Sequence, residues 1–418
     1  MRHPRPSLLF PFALLAASAG SCRCEEPHAG ADAGPDASDG ALPDARLQDA
    51  RPDARTDART DAQVLPDATQ HYFCDEPFFK LPIDGVNERT GGIAMQGGRV
   101  VWSKQKQPSD HLLGEVYLLD LETCVEHQLT VDTQAGWVHI HGNDVVWDDR
   151  KDDRQVWCSE IRHHDLATGI EERLTETSQC ELEPKTNGRH VAYRRLETIT
   201  DAPSLRLLDR QTGIDIELSP DWTNIESFDL NDRYVVWVAY TQDPLSVGRD
   251  VFYHDLATSE THHIDATYQR YQYWVFLWED WVTIRGNDAH LSGPKHLALY
   301  SLVTNEERTI IEDDFSVGSG PIQDGKVLFS TSMYSGSTLL FPSDIEIYSL
   351  ANDTYRRLTT SDGMIAPIAI SPPYLLMIRF LGLPDRFQND YYIANLETLG
   401  VLDASGMLLP GDPVIVPP

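Results

Sequence analysis

The chain has 418 residues and a formal net charge of −31, with 26 prolines, 27 glycines and six cysteines. So acidic a balance excludes nucleic acid as a partner, because phosphate contacts need clustered Lys and Arg. Length alone allows two or three domains, but an internal repeat argues for one.

Arg2 and Arg5 precede a mostly apolar run from Ser7 to Ala19, with Leu8, Leu9, Phe10, Phe12, Leu14 and Leu15. The run is too short to span a bilayer, which takes ~20 residues, and it has the layout of a secretory signal. Ala19, Gly20 and Ser21 then lead into Cys22. Small residues placed directly before a cysteine resemble the lipobox of bacterial lipoproteins, here with Ala19 at the usual Leu position. The resemblance implies that residues 1–21 are removed and that Cys22 carries the lipid. The alternative is plain cleavage near Ala19, with Cys22 left unmodified.

Residues 22–70 read as an acidic linker. They repeat Pro-Asp-Ala-Arg and Thr-Asp-Ala-Arg and offer little to bury beyond Leu42, Leu47, Val64 and Leu65. Such a segment cannot offset its ordering entropy, and as a flexible chain it spans ~35–40 Å. Linkers of this style behind a lipobox resemble those of Gram-negative lipoproteins. That implies a protein exported to the cell envelope and held at the outer membrane, on its periplasmic or surface face, by the lipid alone.

From residue 71 onward a β-rich triplet recurs: Val100-Val101-Trp102, Val145-Val146-Trp147, Val191-Ala192-Tyr193, Val235-Val236-Trp237, Val282-Thr283-Ile284, Val327-Leu328-Phe329 and Leu375-Leu376-Met377. The spacings are 44 to 48 residues. Each triplet is followed by an alternating apolar strand that runs into a turn, as in Tyr117-Leu118-Leu119-Asp120-Leu121-Glu122-Thr123. Asp there can cap the turn through its own side chain. A return strand ending in Leu-Thr or Leu-Ser follows, as at Leu129-Thr130, Leu174-Thr175 and Leu218-Ser219.

Each unit thus predicts four short strands, a to d, and no unit carries ten residues of helical periodicity. Four-stranded units at this period predict an all-β fold, a β-propeller of seven blades. The units lie near 91–134, 135–179, 180–224, 225–270, 271–316, 317–363 and 364–406, within a domain of 71–409 followed by a tail at 410–418. Pro77 to Leu81 reads as an extra outer strand that closes the last blade, or else as a peripheral strap. The pattern Gly-x-x-Val-Val-Trp, Asp-Leu-x-Thr-Gly and Arg-Leu-Thr resembles TolB-like and cell-surface propeller repeats. Ser301 and Ser349 stand where that pattern has Asp.

Cys158 and Cys180 lie symmetrically about the Gly169 turn, so a hairpin bridge between them is expected. Cys74 and Cys124 both sit near outer-strand segments and are expected to staple the N-terminal segment to the first unit. Cys24 is left over, and no CxxC spacing points to a metal.

Trp137, His139 and His141 alternate along one strand and share a face. The two histidines are candidate Zn²⁺ or Mn²⁺ ligands or else polar strand positions. Asp148, Asp149, Asp152 and Asp153 form an acidic loop, a Ca²⁺ candidate; Arg150, Lys151 and Arg154 in the same stretch favour a solvated loop. Aromatics crowd the fifth unit at Tyr268, Tyr271, Tyr273, Trp274, Trp278 and Trp281, either as core or as a binding platform. There is no Gly-x-Ser-x-Gly elbow, phosphate loop or His-Glu-x-x-His. The expectation is a monomeric, noncatalytic propeller without cofactor, binding an envelope protein or glycan. The rival is a metal-dependent polysaccharide lyase using His139 and His141.

Overall fold

A computed structural model describes residues 74, 76–81, 83, 92–105, 114–150, 158–197, 202–219, 223–240, 249–264, 271–287, 295–313, 316–317, 320–332, 334–335, 338–339, 344–360, 364–380 and 389–416. Every regular element among them is a β-strand. The strands form seven blades of antiparallel strands lettered a to d from the axis outward, with a Gly114–Ala135 bridge joining blades 1 and 2 into one sheet and a separate ribbon of Tyr334–Ser335 and Thr338–Leu339.

Blade 1 runs Ile93–Gln96, Arg99–Gln105, Gly114–Asp120 and Val125–Gln128. Blade 2 runs Ala135–His141, Asp144–Arg150, Ser159–Asp165 and Ile170–Arg173. Blade 3 runs Cys180–Thr186, His190–Leu196, Ser204–Asp209 and Ile214–Glu217, and blade 4 Thr223–Leu230, Tyr234–Tyr240, Arg249–Asp255 and Glu260–Ile264. Blade 5 runs Tyr271–Trp278, Trp281–Asn287, Lys295–Ser301 and Glu307–Asp313. Blade 6 has a broken inner strand (Ser316–Val317 and Ile322–Gln323), then Lys326–Ser332, Asp344–Ser349 and Thr354–Thr360. Blade 7 takes three strands from Met364–Ser371, Tyr374–Phe380 and Asn389–Asn395, and its outer strand is the N-terminal Phe78–Lys80.

The recurring triplet explains itself once the blades are packed. The described core falls into seven apolar clusters, one between each pair of consecutive blades. On strand b the first and third triplet residues face the preceding blade. Val145 and Trp147 join blade 1 residues, Val235 and Trp237 join blade 3, and Leu375 and Met377 join blade 6. The middle residue faces the following blade, as Val146, Val236 and Leu376 do. A strand buried on both faces must read as a continuous apolar run, and its widest side chain fills the inter-blade gap.

The other two signatures satisfy backbone groups at strand ends. Asp120 Oδ1 accepts from the N–H groups of Glu122 and Thr123, and Asp255 Oδ1 from Ala257 and Thr258. Ser301 does the same work with its hydroxyl, accepting from Thr304 N–H at 3.2 Å, so the departure from Asp costs blade 5 no cap. The hydroxyls of Thr130, Thr175 and Ser219 accept from the N–H of Val116, Ile161 and Leu205 near the start of each strand c, at 2.7–2.9 Å. Thr175 also donates to the buried Glu181 carboxylate at 3.1 Å. Thr175→Val should therefore lower the unfolding free energy by about 1–3 kcal/mol, the cost of stranding a buried N–H. Urea titration checks this, and an unchanged midpoint would count against that role for the Leu-Thr signature.

Both termini latch the ring. Phe78, Phe79 and Lys80 pair antiparallel with Ala394, Ile393 and Tyr392. Leu81 N–H donates to Tyr391 O and Asn395 N–H to Pro77 O, each at 2.8 Å. The Cys74–Cys124 disulfide ties this closing strand to the strand c–d turn of blade 1, with Cα atoms 5.7 Å apart. At the other end Val414–Val416, in the stretch expected as a tail, pairs parallel with strand d of blade 6 as a fifth strand. Val401, Leu402 and Leu408 pack on the way into the cluster between blades 6 and 7.

The second disulfide joins Cys158 and Cys180 as expected, but not across a hairpin. Strand d of blade 2 ends at Arg173, and Cys180 opens the inner strand of blade 3. The bridge therefore links neighbouring blades, because the chain returns to the axis before reaching Cys180.

Candidate functional site at the axial channel

The seven inner strands surround the axis, so their exposed side chains are the ones a ligand in the channel would meet. Register places them in rungs. The residues paired with the first triplet residue are Met95, Ile140, Thr186, Leu230, Leu277, Ile322 and Ile370. One residue earlier in each strand stand Ala94, His139, Lys185, Asp229, Phe276, Pro321 and Ala369. This rung is polar and charged across blades 2 to 4 and apolar from blade 5 round to blade 1.

The charged arc is bonded from blade to blade. Thr186 N–H donates to His139 Nδ1 at 3.2 Å. Lys185 Nζ pairs with Asp229 Oδ1 at 2.9 Å, and Asp229 Oδ2 accepts from Leu277 N–H at 2.8 Å. Burial, with Lys185 and His141 adding repulsion, pushes the His139 pKa down to about 3, so the imidazole is neutral. Because Nδ1 accepts, its proton sits on Nε2.

A further belt of hydrogen bonds joins neighbouring blades at the end that carries the a–b turns. Gly98 N–H donates to Ser371 Oγ at 3.3 Å, and Gly142 N–H to Gln96 Oε1 at 2.6 Å. Asn187 Nδ2 donates to Asn231 O at 2.8 Å, and Asn231 Nδ2 to Glu279 O at 2.7 Å.

At the opposite end the inner strands of blades 2, 3, 4, 5 and 7 carry bulges. A bulge leaves backbone groups unpaired, and Asp148 serves two of them. Its Oδ1 accepts from Trp137 N–H at 2.8 Å and its Oδ2 from Glu183 N–H at 3.0 Å, so one carboxyl clamps the inner strands of blades 2 and 3. Glu183 holds φ at +53°, and a Cβ on Gly136 would lie 2.3 Å from Asp148 Oδ1. Glu183 in turn pairs with Arg194 at 3.0 Å, and Arg194 donates to Glu226 O at 2.6 Å.

These placements correct the acidic-loop reading. Asp148 and Asp149 are buried residues of strand b, not members of a solvated loop. Asp149 Oδ1 accepts from Gln134 N–H at 2.8 Å, and its Oδ2 pairs with Arg162 at 2.7 Å. Their oxygens are committed to backbone and Arg. Asp152, Asp153 and Cys22 lie outside the described residues.

His139 and His141 share a strand face as expected, but their ring nitrogens are engaged by different neighbours, Thr186 N–H and Gln96 Nε2. Among the described residues no three His, Cys, Asp or Glu side chains converge as a metal site would require. In the aromatic fifth unit Trp278 and Trp281 pack against the cluster between blades 5 and 6, while Trp274 stays exposed. Lys185, Asp229, Glu183 and Arg194 escaped notice in the sequence because no local motif marks them. Aligning the repeats and asking which inner-strand positions are charged on the same rung would have found the first two.

No family model matches this chain, and no curated protein matches it. The fold is similar to the β-propeller domain of the Trilobed protease from Pyrococcus furiosus, whose description records an open velcro topology. The TM-score is 0.55 at 12% identity, covering 76% of this chain and 96% of that one. It is also similar to the Pyrococcus horikoshii acylaminoacyl peptidase, with TM-score 0.54 and 13% identity over 75% of this chain and 52% of that one. Prolyl endopeptidase structures give TM-score 0.54 and 13% identity over 73% and 48%. The chain spans about half the length of these last two. At such identities the likeness is one of fold. It overturns the expectation of a noncatalytic protein- or glycan-binding scaffold, and the lyase alternative with it, since the propellers it resembles belong to peptidases.

Proposed function

We propose that this chain is a propeller of the peptidase-associated kind, engaging extended polypeptide at its axial channel. One observation carries the reading. The inner-strand rung sets His139, Lys185 and Asp229 on one arc against Ala94, Phe276 and Ala369 on the other. A wall polar on one side and apolar on the other suits a chain that has both a backbone and side chains to satisfy. The likeness to peptidase propellers supports polypeptide over sugar. The repeat signatures, which resemble TolB-like and cell-surface repeats, support a binding propeller on this reading.

The address proposed with it is the cell envelope, with Cys22 as lipid anchor and an envelope-exposed polypeptide as partner. Two disulfides in the folded domain fit an oxidising compartment. Growth with a labelled fatty acid should mark the wild-type chain, and Cys22→Ser should lose the label. Label retained by that variant would remove the anchor from Cys22.

The channel is tested with Ala94→Cys in a chain whose Cys22 and Cys24 are Ser. Labelled extended peptides should bind saturably, and a bulky maleimide on Cys at position 94 should weaken binding at least tenfold. Binding unchanged by that plug would place the peptide elsewhere. Hydrolysis is followed on the same samples.

A further inference from the structure

Trp137 and Trp274 are 45% and 46% exposed, whereas Trp102, Trp147 and Trp237 are fully buried. An indole left in water forgoes the burial that stabilises the others, so two such residues on inner strands call for a reason. They occupy one rung. Each directly precedes a valine, Val138 or Val275, that pairs with the third triplet residue of its blade, Trp147 or Ile284. Both stand at an inner-strand bulge, between Ala135 and Val138 in blade 2 and between Gln272 and Trp274 in blade 5.

In blade 2 the bulge is held open by Asp148, which accepts the Trp137 N–H at 2.8 Å. Val138 faces blade 1 and Val275 faces blade 4. The tryptophans therefore turn the other way, Trp137 toward blade 3 and Trp274 toward blade 6. Blades 2 and 5 are three apart in a ring of seven, so the two indoles stand on opposite sides of the axis at the same end of the inner strands, each turned toward its following blade.

The charge of the molecule selects the occupant. The chain carries 65 Asp and Glu against 34 Lys and Arg, and most of the excess lies beyond residue 70. Such a net charge draws cationic polypeptide toward the molecule. Trp is the aromatic that holds an ammonium or guanidinium most strongly over its face. We propose that Trp137 and Trp274 form a two-sided aromatic clamp that takes the cationic side chains of an extended, lysine- or arginine-bearing polypeptide. This rests on the reading of the channel as a polypeptide site and names the class of polypeptide.

The test uses the full chain and three labelled octapeptides, (Gly-Lys)4, (Gly-Ser)4 and (Gly-Glu)4, with binding read by anisotropy at fixed ionic strength. The lysine peptide should bind best. Trp137→Ala and Trp274→Ala should each weaken it about 3- to 30-fold, and the Phe variants should retain part of it. Neither exchange alters the net charge, so such a loss reports the indole face and not the overall field. The Phe variants also control for folding. Lysine-peptide binding untouched in both Ala variants overturns the clamp while leaving the channel reading intact. Equal binding of the serine peptide, with the same losses, overturns the cationic class alone. If none of the three binds, the polypeptide reading falls and the clamp with it.

Discussion

Asp148→Ala should lower the unfolding free energy by about 2–6 kcal/mol, since it strands the N–H groups of Trp137 and Glu183 at roughly 1–3 kcal/mol each. The carboxyl is 3% exposed and both donors sit in inner-strand bulges, where no ladder partner replaces it. Asp148→Asn removes the titrating proton and keeps one of the two acceptors, because its amide nitrogen can only donate. Burial pushes the Asp148 pKa up to about 7; the charges of Glu183 and Asp149 add to the rise, and the two N–H donors oppose it.

A carboxyl raised in the folded state binds more protons there than in the unfolded chain between about pH 4 and 7. Its contribution to stability is therefore largest in acid and falls as pH rises through that window, by on the order of 4 kcal/mol in total, then levels off. His139 acts with the opposite sign, because its depressed pKa favours the fold above pH 6.5 and loses that contribution as pH falls toward 3. The measurement is thus the difference between wild type and Asp148→Asn at each pH. The wild-type stability minus that of Asp148→Asn should fall steadily from pH 4 to 7, and a flat difference would mean that Asp148 titrates as it does in water.

Breaking the Cys74–Cys124 bridge should be nearly as costly. The cystine closes a loop of 50 residues, for which the chain-entropy account gives about 4 kcal/mol. The paired exchange Cys74→Ser with Cys124→Ser leaves a three-residue strand, Phe78–Lys80, to close the ring through its ladder to blade 7 and the Lys80–Asp390 ion pair at 2.7 Å. The thermal midpoint should drop. Hydrogen exchange should quicken first at Leu81 and Asn395, whose N–H groups bond across that seam. An unchanged midpoint, or acceleration spread evenly over all blades, would show that the closing strand needs no tether.

The repeat was legible because burial on two faces imposes a run that short-range chemistry cannot otherwise explain. Val145-Val146-Trp147 announces strand b of a blade before any packing is known. Asp120 and Thr130 announce the ends of strands c and d, where backbone groups need side-chain partners. The N-terminal closing strand was legible too, as Phe78-Phe79-Lys80 standing ahead of the first complete unit. Cys158 and Cys180 paired as expected, although for a reason the hairpin argument did not contain.

What the sequence determined by itself was thus the propeller and its periodicity, since strand alternation, turn chemistry and repeat length are properties of neighbouring residues. Only the tertiary structure decided the rest. That Asp148 is a buried clamp and not a loop ligand follows from two bulges 46 residues apart meeting at one carboxyl. That Lys185 meets Asp229 follows from blades 3 and 4 standing side by side at the axis. That Trp137 and Trp274 share a rung is fixed by register, and that both stay exposed appears only once the blades are packed. Such contacts join positions far apart in the chain, and their chemistry appears only when closure of the ring brings the inner strands together.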